Sequence, residues 1–108
     1  MGRDIVWKPI AELYGQSVSS ISVVQLSDFG EIPTGALKVL IQVETTAIRC
    51  QFNATDSVTS GTGGGYKIAA DAEKEIEGRD FLTRMRMIGD GGDSSINIIY
   101  YGEQEYQT

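Results

Sequence analysis

The chain has 108 residues, a net charge of −6, a single cysteine and no histidine. This length predicts one domain, since domains run to roughly 100–150 residues. Without histidine the chain lacks a Ser-His-Asp pair, a Cys-His pair and an imidazole ligand, so we expect no enzymatic activity, cofactor or metal. The acidic balance argues against binding to nucleic acid. The apolar runs are far shorter than the about 20 residues that cross a bilayer, so we expect no membrane partner.

Residues 1–16 differ from the rest of the chain because they hold its one tryptophan and a proline. Three apolar residues have the spacing of a single helical turn after Pro9: Val6, Ile10 and Leu13. The segment either packs on its own domain or forms an arm that packs on a neighbouring subunit, since tryptophan is enriched in interfaces as well as in cores. We take it as an N-terminal arm whose candidate partner-binding residues are Trp7, Ile10 and Tyr14.

Apolar and polar residues alternate from residue 17 onward, which predicts strands. A first strand is expected over 17–26, before the Gly- and Pro-containing turn cluster 27–35. The clearest strand covers 36–43 and turns four apolar residues to one face: Leu37, Val39, Ile41 and Val43. A short connection leads to a further strand at 47–53, so these two strands are predicted to form an antiparallel hairpin.

The strand at 47–53 places Ile48, Cys50 and Phe52 inward and Arg49 outward. Cys50 is therefore expected to be a buried small hydrophobe, because a reactive thiolate needs exposure and a basic neighbour. The polar stretch 54–65 follows and is predicted to be an exposed loop. It is not a phosphate-binding loop, because it lacks the Gly-Lys-Ser/Thr sequence of a P-loop.

The stretch 69–88 is open to two interpretations. Its first nine residues are good helix formers, with a glycine placed to end a helix. The alternative, which we adopt, is an acidic strand near 73–77, a turn at 78–80 and a strand through 83–88. The acidic residues then share one face and form a solvated strand edge: Asp71, Glu73, Glu75 and Glu77. In the second strand the methionines face inward and the arginines outward: Met85 and Met87, Arg84 and Arg86.

The turn 89–93 precedes a last strand, which ends near residue 102 and has Ile96, Ile98 and Tyr100 on one face. Short strands between glycine-rich turns are typical of an all-β fold, so we predict a small antiparallel β-sandwich or barrel, jelly-roll-like, with an N-terminal arm. The predicted division is an arm at 1–16, a β-domain at 17–102 and a polar tail at 103–108. Outward-facing arginines serve solubility or form a positively charged contact surface for a protein partner: Arg49, Arg84 and Arg86.

The sequence from Ala36 to Gly102 resembles the short, acidic, β-rich virion proteins of tailed bacteriophages. The resemblance is carried by three stretches, in this order: AIRCQFNATD, EIEGRDFLTRMRMIG and DSSINIIYYG. It implies a particle component without catalysis, and within that class a capsid cement or decoration protein. Such a protein is made in the host cytoplasm and binds the major capsid protein on the outer surface of the virion head. The resemblance also implies a homo-oligomer, most simply a trimer.

Two other functions stay open at the level of sequence. The first is a tail, neck or baseplate-associated β-domain of a phage particle, which copy number per particle would separate from a cement protein. The second is a carbohydrate- or peptide-binding β-module. That module would use an exposed aromatic side chain, and the candidates are scattered along the sequence: Trp7, Tyr14, Tyr66 and Tyr101.

Overall fold

The structure is a computed structural model, and it describes residues 6–53, 58–59, 61 and 64–104. Its described residues form eight strands: β1 (Val6–Val18), β2 (Val24–Gln25), β3 (Lys38–Val43), β4 (Ile48–Gln51), β5 (Tyr66–Ile68), β6 (Glu73–Glu77), β7 (Arg86–Gly89) and β8 (Ser94–Gln104). A 3₁₀ helix at Leu26–Phe29 follows β2, and the short helix α1 (Arg79–Arg84) lies between β6 and β7.

The strands pair as one antiparallel ribbon that is folded back on itself. β1 pairs with β8, β2 with β7, β3 with β6 and β4 with β5, each time antiparallel. Pairing of β3 with β8 and of β4 with β7 then closes two sheets, with the strand orders β1-β8-β3-β6 and β2-β7-β4-β5. This nested pattern is the topology of an eight-stranded jelly roll. The predicted all-β antiparallel sandwich is therefore confirmed.

The hydrophobic core lies between the two sheets and is built by alternate residues of the strands. The first sheet contributes fully buried side chains from β3 and β8: Val39, Ile41, Val43, Ile96 and Ile98. The second sheet and its connections contribute Ile48, Cys50, Met85 and Met87. The inward faces predicted for these residues are confirmed. Leu37 departs from its predicted face, because it precedes β3 and is 36% exposed.

The segment predicted as an arm is a strand of the domain from Val6 onward. β1 runs along β8 from the pair Val6–Gln104 to the pair Val18–Ser94, with two register shifts. The predicted helical turn is therefore wrong, because β8 offers a long row of backbone partners and Pro9 is tolerated in an edge strand. The boundary drawn between residues 16 and 17 falls inside β1, and residues 1–5 lie outside the described residues.

Three other segments differ from the prediction. The strand expected over 17–26 is interrupted after Val18, and Ile21 is 89% exposed. β8 continues to Gln104 through the start of the predicted tail, and residues 105–108 lie outside the described residues. The loop 54–65 is predicted to be exposed, but Val58 within it is buried, and the backbone N–H of Thr59 donates to the carbonyl of Gly64; residues 54–57, 60 and 62–63 lie outside the described residues.

The predicted hairpin of β3 and β4 is also wrong, because the two strands belong to different sheets. Residues 44–47 carry the chain from one sheet to the other. The apolar faces of both strands thereby meet across the core instead of lying side by side. Alternation alone is compatible with both arrangements, since it fixes which face is buried and not which strand is the neighbour.

The stretch 69–88 combines elements of both interpretations. β6 coincides with the predicted acidic strand, and its glutamates are exposed. The chain then forms α1, which begins after Gly78 at φ +113°, so the strand predicted from residue 83 begins only at Arg86. The helix forms here because the chain must cross to the second sheet, and Leu82 on its inner side is 1% exposed.

Candidate partner interface

A strip of aromatic and aliphatic side chains covers part of the outer face of the first sheet. In the strand register Lys38 lies beside Tyr101 and Leu40 lies beside Ile99, and all four side chains point away from the core. Trp7 joins them from β1, where it pairs with the outward-facing Glu103. We call these five residues, Trp7, Lys38, Leu40, Ile99 and Tyr101, the aromatic face. An outer sheet face is ordinarily polar, so this strip is the candidate interaction surface of the first sheet.

Lys38 holds the aromatic face together. Its Nζ lies 4.8 Å from the centroid of the Trp7 ring and 4.9 Å from that of the Tyr101 ring. A cation at this distance is attracted by the ring quadrupole. The Nζ is also 3.7 Å from Oε2 of Glu75, and Lys38 is only 7% exposed. These contacts hold the two rings at the surface.

Tyr14 extends the aromatic face toward the middle of β1. It is 59% exposed and is hydrogen-bonded to Glu12, which pairs with Ile99 of β8. The hydrogen bond to Glu12 and the neighbouring Tyr101 raise the pKa of the Tyr14 phenol. The exposed phenol hydroxyl gives the strip a polar margin.

Ile10, the other predicted residue of β1, lies on the inner side. The register shift between Pro9 and Ala11 turns it toward Gly102, and it packs partly against the core. A Cβ placed on Gly102 would lie 3.4 Å from Cγ2 of Ile10. The structure therefore places Trp7 and Tyr14 on the same face and Ile10 apart from them.

The three predicted arginines do not form one positive surface. Arg49 lies on the outer face of the second sheet with its Nε 3.2 Å from Oδ2 of Asp90, and both side chains are nearly buried. Its guanidinium also donates to the carbonyl of Gly65, so Arg49 binds a loop of its own chain. Arg86 is half-buried on the same face, and Arg84 is exposed in the last turn of α1.

A groove that the sequence did not indicate lies beside β6, at the open side of the sandwich. It has a volume of about 200 Å³ and is lined by Phe52, Lys74, Glu75, Ile76, Glu77 and Phe81. The Phe52 and Phe81 rings meet edge to face at 6.2 Å, and Tyr66 lies 6.3 Å from Phe52. The aromatic residues come from three separate parts of the chain, so no local pattern could have brought them together.

The described residues hold no metal centre and no exposed nucleophilic thiol. No group of three or more carboxylate or cysteine side chains among them is placed to hold a metal ion. Cys50 is 1% exposed, and burial raises the pKa of its thiol to about 12. None of the helices described is long and apolar enough to cross a membrane.

The chain is an antiparallel jelly-roll domain with an aromatic outer face. The jelly roll is also the architecture of viral capsid and lectin domains. No protein-family model and no curated protein sequence matches the chain. Among solved structures the chain is similar to the coat protein of Tobacco streak virus, with a TM-score of 0.43 and 7% sequence identity. The similarity covers 100% of this chain and 92% of that coat protein.

Proposed function

We propose that the protein is a non-enzymatic structural component of a virion, and specifically a cement protein of a tailed bacteriophage. It binds the outer surface of the major capsid protein shell as a homo-oligomer, most simply a trimer. The observation that carries the proposal is the aromatic face. The resemblance of the sequence from Ala36 to Gly102 to small phage virion proteins supplies the setting in which this face acts.

The aromatic face has the composition of an interface centre. Tryptophan and tyrosine are enriched where partners bury surface, and the most effective positions are rigid and ringed by polar groups. Trp7 and Tyr101 are fixed by Lys38, while the exposed Glu12, Glu73 and Glu103 form an acidic margin. Rings that are already ordered lose little conformational entropy when the partner binds.

A cement protein stabilises a shell by binding to one conformational state of it, which shifts the equilibrium toward that state. A ligand that binds only the expanded lattice stabilises that lattice, and an oligomer turns several weak contacts into one strong attachment. The net charge of −6 keeps an abundant particle component soluble and away from the packaged genome. Attachment as an oligomer and an acidic surface both fit a small domain that binds through one face.

The test is reconstitution on expanded, undecorated shells of the phage that encodes the protein. Purified protein is added, copies per shell are counted by cryo-electron microscopy, and the heat resistance of the shells is measured. We expect hundreds of copies and a higher disruption temperature. The fluorescence of Trp7, the one tryptophan of the chain, should change on binding. A few copies at one vertex would instead indicate a neck or tail component, and no attachment would refute the proposal.

A matched pair of variants locates the contact. Ile99→Glu places a carboxylate in the aromatic face, and Lys67→Glu places one on an exposed position of β5 in the second sheet. We expect Ile99→Glu to lower shell occupancy at least tenfold and Lys67→Glu to leave it unchanged, with circular dichroism confirming that both fold. Equal occupancy by both variants would exclude the aromatic face. A solution mass of only the 11.7 kDa monomer at high concentration would exclude the trimer.

A further inference from the structure

The outer edge of β6 forms a second surface, which adjoins the aromatic face because β6 pairs with β3 and Glu75 lies 3.7 Å from Lys38. β6 is the last strand of the first sheet and pairs only with β3 among the described residues. An edge strand directs alternate N–H and C=O groups outward, where they can pair with another extended chain. In an added strand, side chains would point alternately to the inner and outer faces of the sheet.

The inner side of this edge is apolar and open. The groove beside β6 brings Phe52, Ile76 and Phe81 together, and Phe81 is 50% exposed although it is a large hydrophobic residue. Lys74 also lines the groove, and its Nζ lies 5.0 Å over the Tyr66 ring. A strand added to β6 would therefore direct its inward side chains at aromatic and aliphatic carbon.

The outer side of the same edge is acidic. Glu73, Glu75 and Glu77 alternate along β6 and are exposed. Glu75 forms an ion pair with Lys38 of the aromatic face. Glu73 and Glu77 form no ion pair with any basic side chain that the structure describes. An added strand would meet two uncompensated negative charges on this side.

We propose that the β6 edge binds an extended segment of another protein in which apolar and basic residues alternate. The apolar side chains enter the groove at Phe52 and Phe81, the basic side chains lie against Glu73 and Glu77, and the backbone pairs with β6. This mode is strand addition, in which main-chain hydrogen bonds give affinity and alternate side chains give specificity. The inference does not depend on the proposed function, since the groove and the backbone edge of β6 lie outside the five residues of the aromatic face, although Glu73 belongs to the acidic margin of that face.

The probe is a fluorescein-labelled peptide of seven residues in which lysine alternates with valine around one central phenylalanine. Fluorescence anisotropy with the full chain should show saturable binding. Replacing the lysines of the peptide by glutamates should abolish binding, and N-methylation of the backbone amides that face β6 and pair with it should weaken binding at least tenfold. Equal binding of the N-methylated peptide would refute strand addition. Competition by a neutral oligosaccharide would show instead that the groove is a carbohydrate site.

Two matched pairs of variants complete the test. Phe81→Ser is compared with Tyr14→Ser, since both residues are exposed aromatics, and Glu77→Lys with Glu12→Lys, since both lie on edge strands. We expect the β6-side variant of each pair to lower affinity at least tenfold and its partner on β1 to have no effect. Equal effects within either pair would mean that the peptide binds the protein by net charge or at another surface, and would overturn the proposal.

Discussion

Replacing Lys38 by methionine removes a cation from between two rings while it keeps most of the aliphatic stem. Each cation–π contact contributes about 0.5–1 kcal/mol when exposed and about 2 kcal/mol when desolvated. Lys38 contacts two rings, and two contacts at the exposed value amount to about 1–2 kcal/mol; we use this value because the cost of burying the ammonium, which is 7% exposed, offsets the larger desolvated value. The ion pair with Glu75 adds little, because Glu75 is more than half exposed. We therefore expect Lys38→Met to lower the free energy of unfolding by about 1–2 kcal/mol.

The assay is urea denaturation followed by Trp7 fluorescence and, separately, by circular dichroism. In a separate thermal unfolding experiment, a loss of 1 kcal/mol should lower Tm by about 4–8 °C for a domain near this size. A double-mutant cycle with Tyr101→Leu should give a coupling energy of about 0.5–1 kcal/mol that persists in 0.5 M salt, because the pair is buried. Unchanged stability of Lys38→Met, or a coupling energy near zero, would refute the reasoning.

Two further predictions concern single residues of the core and its connections. A Cβ on Gly89 would collide with the carbonyl oxygen of Gly92, whereas a Cβ on Gly92 would lie 3.9 Å from Cγ2 of Thr46. Thermal unfolding should therefore show that Gly89→Ala is destabilised by about 1–3 kcal/mol and that Gly92→Ala is nearly unchanged. Equal melting temperatures of the two variants would contradict the close approach of Gly89 to Gly92. The pKa of the Cys50 thiol rises from 9.0 to about 12 on folding. The contribution of the buried thiol to the free energy of unfolding is therefore fully present below pH 9. It decreases as the pH rises toward 12, by up to about 1.4 kcal/mol per pH unit. The difference in unfolding free energy from Cys50→Ala isolates this term, and a difference that does not vary with pH would contradict the burial.

The strands that alternation predicted well are those with one fully buried face. In β3 and β8 every second residue is buried in the core, so period two is regular and the faces of Ile41 and Ile98 could be predicted. β1 lies at an edge and changes register twice, so its apolar residues do not keep one period. The apolar spacing around Ile10 therefore matched that of a short helical turn.

The neighbours of each strand could not be predicted because alternation carries no information about pairing. Short links typical of hairpins carry the chain between sheets after β3 and after β7. Trp7 could be predicted as a candidate because tryptophan is enriched in interfaces, but its contact with Lys38 depends on the register of three strands. The groove at Phe52 and Phe81 depends in the same way on the tertiary fold.

The nested ribbon has a consequence for how the chain folds. Its innermost pair, β4 with β5, closes only the stretch 52–65, while its outermost pair, β1 with β8, closes nearly the whole domain. Loop closure costs more entropy as the loop lengthens, and distant pairings slow folding. We expect the ribbon to close from its centre outward. The pair that carries Trp7 and Tyr101 then forms last, and the aromatic face is completed only when every other strand is in place.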